Sequence, residues 1–352
     1  MKILITGVGG PTPRSFALAL RKYSQYANWQ FVATDINPLS IGLYQRDLFE
    51  ESFVVPPAGS EGYWEAIDQI VKETGVEYAV ILPEKEVMHW SVREQEGKLP
   101  CRAFLPHPAI AEVLVDKGRM TRILDALGDV PKSMEFGHDL SNLSAPFDHL
   151  GTTFWVRSSQ GTSGLGSLLI ENEDALRNWM QINPGVTTFL ASSYLSGRNL
   201  ACKLLYYRGK LIRAACAERV NYIMSKVAPS GITGNTSFGR LLNEPHLVTL
   251  AEKNMQHLFS HLGIEPHGFF TMDFKEDASG KPFITEVNVR HVAFTQCFAA
   301  GGANFAEDTI RLLDNPDSMD MGYKMYEFEP DSIFLRDVDA VPVLMKESAL
   351  LK

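Results

Sequence analysis

The sequence of 352 residues holds only four cysteines, Cys101, Cys202, Cys216 and Cys297, and none stand at CxxC spacing. So few and so scattered, they argue against a disulfide framework and read as buried thiols of a reduced, cytoplasmic protein. Apolar runs of the ~20 residues needed to span a bilayer are missing, as are the apolar stretch and cleavage site of a secretory leader. Clustered Lys and Arg are missing too. With a net charge of −9 and no basic stripe, nucleic acid is not expected as a partner. There is no low-complexity tract and no internal repeat of about 20–50 residues, which sets solenoids aside. What is present is 45% hydrophobic residues, enough to bury a large core in two or three domains.

The N-terminal part alternates strand and helix. KILITG reads as a strand, followed by the glycine cluster Gly7, Gly9 and Gly10 and a helix over Arg14–Tyr23. WQFVATD is a second strand ending at Asp35, ESFVVP a short third, Gly62–Thr74 a helix and VEYAVILP a fourth strand; the apolar run CRAFLP follows. Such alternation predicts an α/β, Rossmann-like parallel sheet over residues 1–107, covered by helices on both faces. The opening ITGVGGPTPR invites a dinucleotide site, with Asp35 where a ribose-binding acid would stand. Pro13 and Arg14, however, occupy the place of the third glycine that lets the helix pack closely. An NAD(P)-dependent oxidoreductase is therefore kept as an alternative.

From Pro108 the pattern changes. One or two helices run to Gly128, which suits a left-handed cap. FWVRSSQGTSGLGSLLI then reads as strand, glycine-rich loop, strand. Two or three strands with turns at Ser196–Gly197 and Arg208–Gly209 follow, then an amphipathic helix ending at Gly263. The segment from His267 to Arg290 is a hairpin turning at Asp277–Gly280, and short strand-like pieces, SIFLRDV and AVPVLM, close the chain.

Chemistry concentrates in that hairpin. Glu286 and Asn288 lie two apart on one strand and face the same way, with Asp273 roughly opposite on its partner. Two carboxylates and an amide oxygen make an oxygen-only cluster suited to Mg²⁺, which is usually completed by substrate phosphates. The loop Gly161-Thr162-Ser163-Gly164 lacks a P-loop ending, yet backbone N–H groups and two hydroxyls can fold over phosphates. Arg157, just before it, is placed to meet phosphate oxygens. Glu84 follows the fourth strand, where open α/β sheets bind ligands. Arg219 and the stretch SGITGNTS are candidates for contacting a carboxylate substrate. The pair His257 and His261 in HLFSH has no glutamate or third ligand beside it and reads as helix surface.

The order of these pieces resembles the ATP-grasp superfamily, in particular the branch of the carbamoyl phosphate synthetase large subunit and biotin carboxylase. Asp116-Lys117, followed by Gly128 and Val130-Pro131, is similar to the family's helix and turn. WVRSSQGTSGLG is similar to its second phosphate-binding strand and mobile loop. FLASSYLSGRN is similar to the segment passing the adenine and ribose, and MDF with ITEVNVR to its Mg²⁺ strands. The resemblance implies a Rossmann-like domain preceding a two-lobed α+β ATP-grasp domain. Its small lobe would span 108–190 and its large lobe 191–313, with a C-terminal extension over 314–352. It also implies an ADP-forming carboxylate–amine ligase working through an acyl phosphate. The substrates would be an amino acid, peptide or small carboxylated metabolite, and the assembly a homodimer. By the same resemblance Lys117, Arg157 and Arg290 are catalytic. ATP meets Lys117, Arg157, Gly161, Thr162, Ser163, Gly164, Ser193, Tyr194 and Leu195. Asp273, Glu286 and Asn288 hold Mg²⁺, with Mn²⁺ able to replace it, and Glu84, Arg219 and Arg290 meet substrate. Two departures stand out. Ser192 and Ser193 replace a ribose-binding glutamate, and Arg198, Asn199 and Lys203 occupy a stretch that usually carries an acid. A non-catalytic nucleotide-binding protein is the second alternative.

Overall fold

Runs of Ile, Leu, Val and Ala at the N-terminus can be buried only if both faces of a sheet are covered, and helices cover them. The computed structural model describes residues 1–140, 143–159, 167–337 and 351. Its first part runs β1 (Lys2–Thr6), α1 (Pro11–Tyr23), β2 (Gln30–Asp35), β3 (Glu51–Val54), α2 (Tyr63–Thr74), β4 (Tyr78–Val80), α3 (Glu84–Gln95) and β5 (Arg102–Ala103). All of these strands pair in parallel, in the order β3-β2-β1-β4-β5. Helix α1 starts three residues earlier than the sequence suggests. Pro11 at its first position needs no N–H partner there and already has a helical φ. The fourth strand is shorter than VEYAVILP: its pairing with β1 and β5 covers only Tyr78–Val80, and Pro83 caps the start of α3.

The chain continues with α4 (Pro108–Val115) and α5 (Lys117–Leu124), and Gly128 ends the helical stretch with φ +67°. Next come β6 (Ser133–Gly137), α6 (Ser144–Leu150), β7 (Phe154–Ser158), β8 (Leu168–Ile170), α7 (Glu173–Ile182) and β9 (Thr188–Ser193). Among the described residues these strands make a four-stranded sheet, β6-β9-β7-β8. A second, larger sheet follows from β10 (Asn199–Tyr207), β11 (Lys210–Tyr222), β12 (Thr236–Leu242), α8 (Pro245–Leu262), β13 (Gly268–Glu276) and β14 (Pro282–Asn288). The chain then runs through α9 (Thr295–Ala300), α10 (Phe305–Asp314), β15 (Lys324–Met325) and β16 (Ile333–Leu335).

The residues after 313, read from sequence as an extension, add strands to the larger sheet. β16 pairs with β12 and β15 with β11, giving β14-β13-β10-β11-β12-β16 with β15 to the side. AVPVLM lies outside the described residues. Helices α9 and α10 pack on α1, and their Ala299, Ala306 and Ile310 share a core with Phe16 and Leu20. The first domain and the larger sheet are thereby held side by side, with a cleft between them. No helix among the described residues is long and apolar enough to cross a membrane.

Candidate active site

Strands β13 and β14 pair so that Asp273 faces Glu286 directly and Thr271 faces Asn288. Alternation along the strands therefore puts Asp273, Glu286 and Asn288 on one face, while Met272, Phe274, Ile284 and Val287 fill the core on the other. The register slips between Asp273 and Phe274, leaving Thr285 as an extra residue. That bulge turns the Thr285 carbonyl toward Arg157, whose Nη2 donates to it at 2.7 Å.

Four cations surround the carboxylates. Lys117 Nζ lies 3.6 Å from Glu286 Oε1, and Arg219 Nη1 donates to Asp273 Oδ2 at 2.9 Å. Burial pushes the Glu286 carboxyl up, but Lys117, Arg157, Arg290 and Arg219 together outweigh it and hold the group below its ordinary value. Asp273 is different. Burial raises it to about 6 against the pull of Arg219, and its Oδ1 is buried with no hydrogen-bond partner among the described residues. An orphaned buried carboxylate oxygen is expensive, and a cation is the natural partner for it. Among the described residues no three His, Cys, Asp or Glu side chains converge. The donor set is two carboxylates and the Asn288 amide, all oxygen, so these residues fit Mg²⁺.

Lys117 is positioned by the start of its helix. Asp116 caps α5 by accepting from the Arg119 N–H at 2.9 Å, and the Lys117 N–H donates to the Ser159 carbonyl at 3.1 Å. Ser159 Oγ in turn donates to Glu135 Oε1 at 3.0 Å, and Glu135 also pairs with Arg122. Gly118 lets the Glu135 carboxylate lie close against the start of α5; a Cβ there would push that carboxylate aside. This network ties the end of β7, where the glycine-rich loop begins, to the lysine. Sequence reading missed Glu135 and Ser159, since nothing local marks them. Gly161, Thr162, Ser163 and Gly164 lie outside the described residues.

The remaining sequence candidates meet around one cavity of about 1770 Å³. Ser192, Ser193, Tyr194 and Leu195 form part of its wall beside Trp155, with Tyr194 46% exposed. Glu84 opens α3, and its Oε1 accepts from Arg290 Nη2 at 3.1 Å, so it bridges the two halves of the cleft. Arg219 is largely committed to the protein: besides Asp273, it donates to Thr236 Oγ1 at 3.0 Å and to the Gly234 carbonyl at 2.6 Å. Lys203, in the stretch expected to be acidic, is fully buried further along the same face of the sheet, paired in register with Thr271, and donates to Thr295 Oγ1 at 3.0 Å.

The glycine cluster after β1 also borders the cavity, but Asp35 is already occupied. Its Oδ2 accepts from the Gly9 N–H at 2.7 Å and its Oδ1 from Ser40 Oγ at 2.7 Å and the Asn37 N–H at 2.9 Å. Gly7 has φ +69° and a Cβ there would sit 2.4 Å from Pro83 Cγ. The loop is built against its own sheet, and its acid is engaged in holding that loop through three hydrogen bonds. His257 Nε2 is within 3.2 Å of the Ile123 carbonyl, a packing role on α8.

No family model matches the sequence, and no curated relative does either. Solved structures do share the fold. N5-carboxyaminoimidazole synthetase from Staphylococcus aureus, complexed with ADP, aligns with TM-score 0.66 and 16% identity, over 95% of this chain and 79% of that one. The biotin carboxylase domain dimer of Hydrogenobacter thermophilus 2-oxoglutarate carboxylase, in complex with MgADP, ADP and bicarbonate, gives TM-score 0.65 and 18% identity over 89% and 69%. An L-amino acid ligase from Bacillus licheniformis gives 0.63 and 16% over 89% and 73%. The chain has the fold of these proteins, the ATP-grasp fold.

Proposed function

We propose that this chain, built on the ATP-grasp fold, is an ADP-forming ligase that uses ATP to join a carboxylate to an amine. The observation that carries the reading is the oxygen-only cluster of Asp273, Glu286 and Asn288. It has an unpartnered Asp273 oxygen and shares one cavity with Lys117, Arg157 and Arg290.

In this reading a carboxylate oxygen of the acid attacks the γ-phosphorus of ATP. The bond from that phosphorus to the β–γ bridging oxygen breaks, and ADP leaves. The amine nitrogen then attacks the acyl carbon, phosphate departs with its bond to that carbon broken, and the amine proton passes to a base. Lys117, Arg157 and Arg290 stabilise charge on the moving phosphoryl group. Asp273, Glu286 and Asn288 would hold Mg²⁺, or Mn²⁺ in its place, which when bound supplies charge neutralisation at the β- and γ-phosphates. Ser193, Tyr194 and Leu195 line the nucleotide side, and the loop containing Gly161, Thr162, Ser163 and Gly164 covers the phosphates. Glu84 and Arg290 lie on the substrate side. Arg219 acts chiefly by orienting Asp273, since its other donors hold Thr236 and Gly234. An amino acid, peptide or small carboxylated metabolite is the acid, and a homodimer the expected assembly.

The testing experiment is phosphate release from ATP and Mg²⁺ with panels of carboxylic acids and amines, joined products being identified by mass. ADP formation that requires both an acid and an amine supports the reading. Stabilisation by NADH, with none by MgATP or MgADP, sinks it.

A further inference from the structure

One buried carboxylate beside the cleft takes no part in the chemistry proposed above. Glu86 stands in the first turn of α3, is 5% exposed, and is among the residues that line the cavity. Its Oε2 is buried with no hydrogen-bond partner among the described residues. Lys85 and His89 of the same helix are exposed, and neither reaches that oxygen.

The sheet topology gives that position a meaning. β2 and β3 lie on one side of β1, and β4 and β5 on the other, so the chain crosses over β1 between β3 and β4. The connections leaving β1 and β4 therefore part in opposite directions, and in open parallel sheets the crevice between them is where ligands bind. Gly7 and Gly10 border it from the β1 side, Leu82 and Glu86 from the β4 side, and all four are on the cavity wall. The Leu82 N–H donates to Thr6 Oγ1 at 3.3 Å, which ties the two strand ends together. Trp90, one helical turn on from Glu86, donates from Nε1 to the Tyr63 hydroxyl at 2.8 Å and so pins α3 to α2. Glu86 is carried by a fixed helix, which keeps its carboxyl from turning out to water.

The surroundings of Glu86 call for a cation. Burial lifts its carboxyl from 4.5 to about 7; hydrogen bonding from Thr6 and Tyr63 opposes the rise, and the charge of Asp35 adds to it. Asp35 accepts three hydrogen bonds from its own loop, so it contributes negative charge and no donor. A buried carboxylate beside a second acid, with one oxygen unspent, is matched by a charged N–H donor. The cavity that Glu86 lines also reaches Arg290 and Asp273, so a molecule anchored in the crevice extends toward the metal cluster without leaving the cleft.

We infer that the crevice between the ends of β1 and β4 is a subsite, anchored by Glu86, for a protonated amino group carried by a co-substrate. As a co-substrate site this rests on the ligase reading above; as an amine site it does not.

The test uses the full chain saturated with MgADP at pH 8, where the Glu86 carboxyl is ionised and an alkylamine is still protonated. Propylamine and propanol, alike in shape and different in charge, are titrated by calorimetry. The wild-type protein is expected to bind propylamine about tenfold more tightly than propanol. Glu86→Gln keeps the shape of the side chain and should erase that preference, whereas a merely structural role would weaken both probes alike. MgADP affinity, measured separately, should stay the same. Should Glu86→Gln fail to fold, Glu86→Asp, which keeps the charge and shortens its reach, takes its place and should reduce the preference. If propylamine does not bind the wild type, or if the folded variant prefers it to propanol as the wild type does, the subsite is refuted. Failure of the ligase reading shows elsewhere, as absent MgADP binding or absent acid- and amine-dependent turnover, with propylamine binding intact.

Discussion

Two acid-bearing corners face the same cleft, one at the end of β2 and one on β13, and they differ in where their oxygens go. Asp35 has both oxygens taken by the Gly9 and Asn37 N–H groups and the Ser40 hydroxyl. Asp273 has one oxygen on Arg219 and the other buried with no partner among the described residues. The first corner is complete without a ligand and is therefore a device for folding a loop. The second is surrounded by four cations and keeps a buried oxygen of the kind a metal ion satisfies. The contrast moves the expected chemistry from the glycine cluster, where a dinucleotide would be sought, to the hairpin.

The largest effect expected from breaking the contrast is at the hairpin. Glu286→Gln should lower ligase turnover by more than ~100-fold and abolish the dependence of nucleotide binding on Mg²⁺, and chelation of Mg²⁺ should do the same to the wild-type protein. Turnover within about twofold of the wild type would remove the metal role from this cluster. Arg219→Lys keeps the charge but loses the three-way hold on Asp273, Thr236 and Gly234. It should raise the Mg²⁺ concentration for half-maximal rate about tenfold while kcat changes less. A fall in kcat with unchanged Mg²⁺ dependence would instead make Arg219 a group acting on substrate.

At the other corner, Asp35→Ala leaves buried donors unpaired. It should destabilise the fold by about 1–3 kcal/mol in denaturant titrations, and nucleotide affinity should be preserved. Loss of affinity with stability intact would reverse the assignment of the two corners. The smallest effect extends the contrast along the same face of the sheet, where Lys203 is fully buried, donates to Thr295 and is ringed by Phe269, Phe294, Phe298 and Phe305. Burial lowers its ammonium from 10.5 to about 7. Between those values the unfolded chain holds a proton that the native one lacks, so this group makes stability rise with pH across that window. Lys203→Met should erase that rise and increase Tm by a few degrees at pH 6. An unchanged slope of stability against pH would show that the lysine stays charged in its aromatic cage.

Much of the hairpin was legible before folding. Period-two alternation puts Glu286 and Asn288 on one face from spacing alone, and the turn at Asp277–Gly280 sets Asp273 across from them; the observed register pairs Asp273 with Glu286. Gly128 likewise ends its helical stretch in the left-handed conformation that a glycine there suggests. These features are local, fixed by chain geometry over a few residues. Strand lengths were less legible: β4 is limited to the residues that pair with β1 and β5, and β16 forms because β12 offers it an open edge.

What the sequence by itself determined is the list of chemically capable groups and their local facing: the hairpin acids, Lys117 at a helix start, Arg157 on a strand, a glycine cluster after β1. Whether each group was already satisfied was decided only in three dimensions. Asp35 and Asp273 are both strand acids, yet one found the Asn37 N–H and Ser40 hydroxyl close by and the Gly9 N–H 26 positions back, and the other met an arginine 54 positions away. The bulge at Thr285 and the Glu135–Ser159 link behind Lys117 both depend on segments far apart in the chain. Hydrogen bonding and charge compensation are properties of neighbours in space, and for those groups the packing of sheets and helices chose the neighbours.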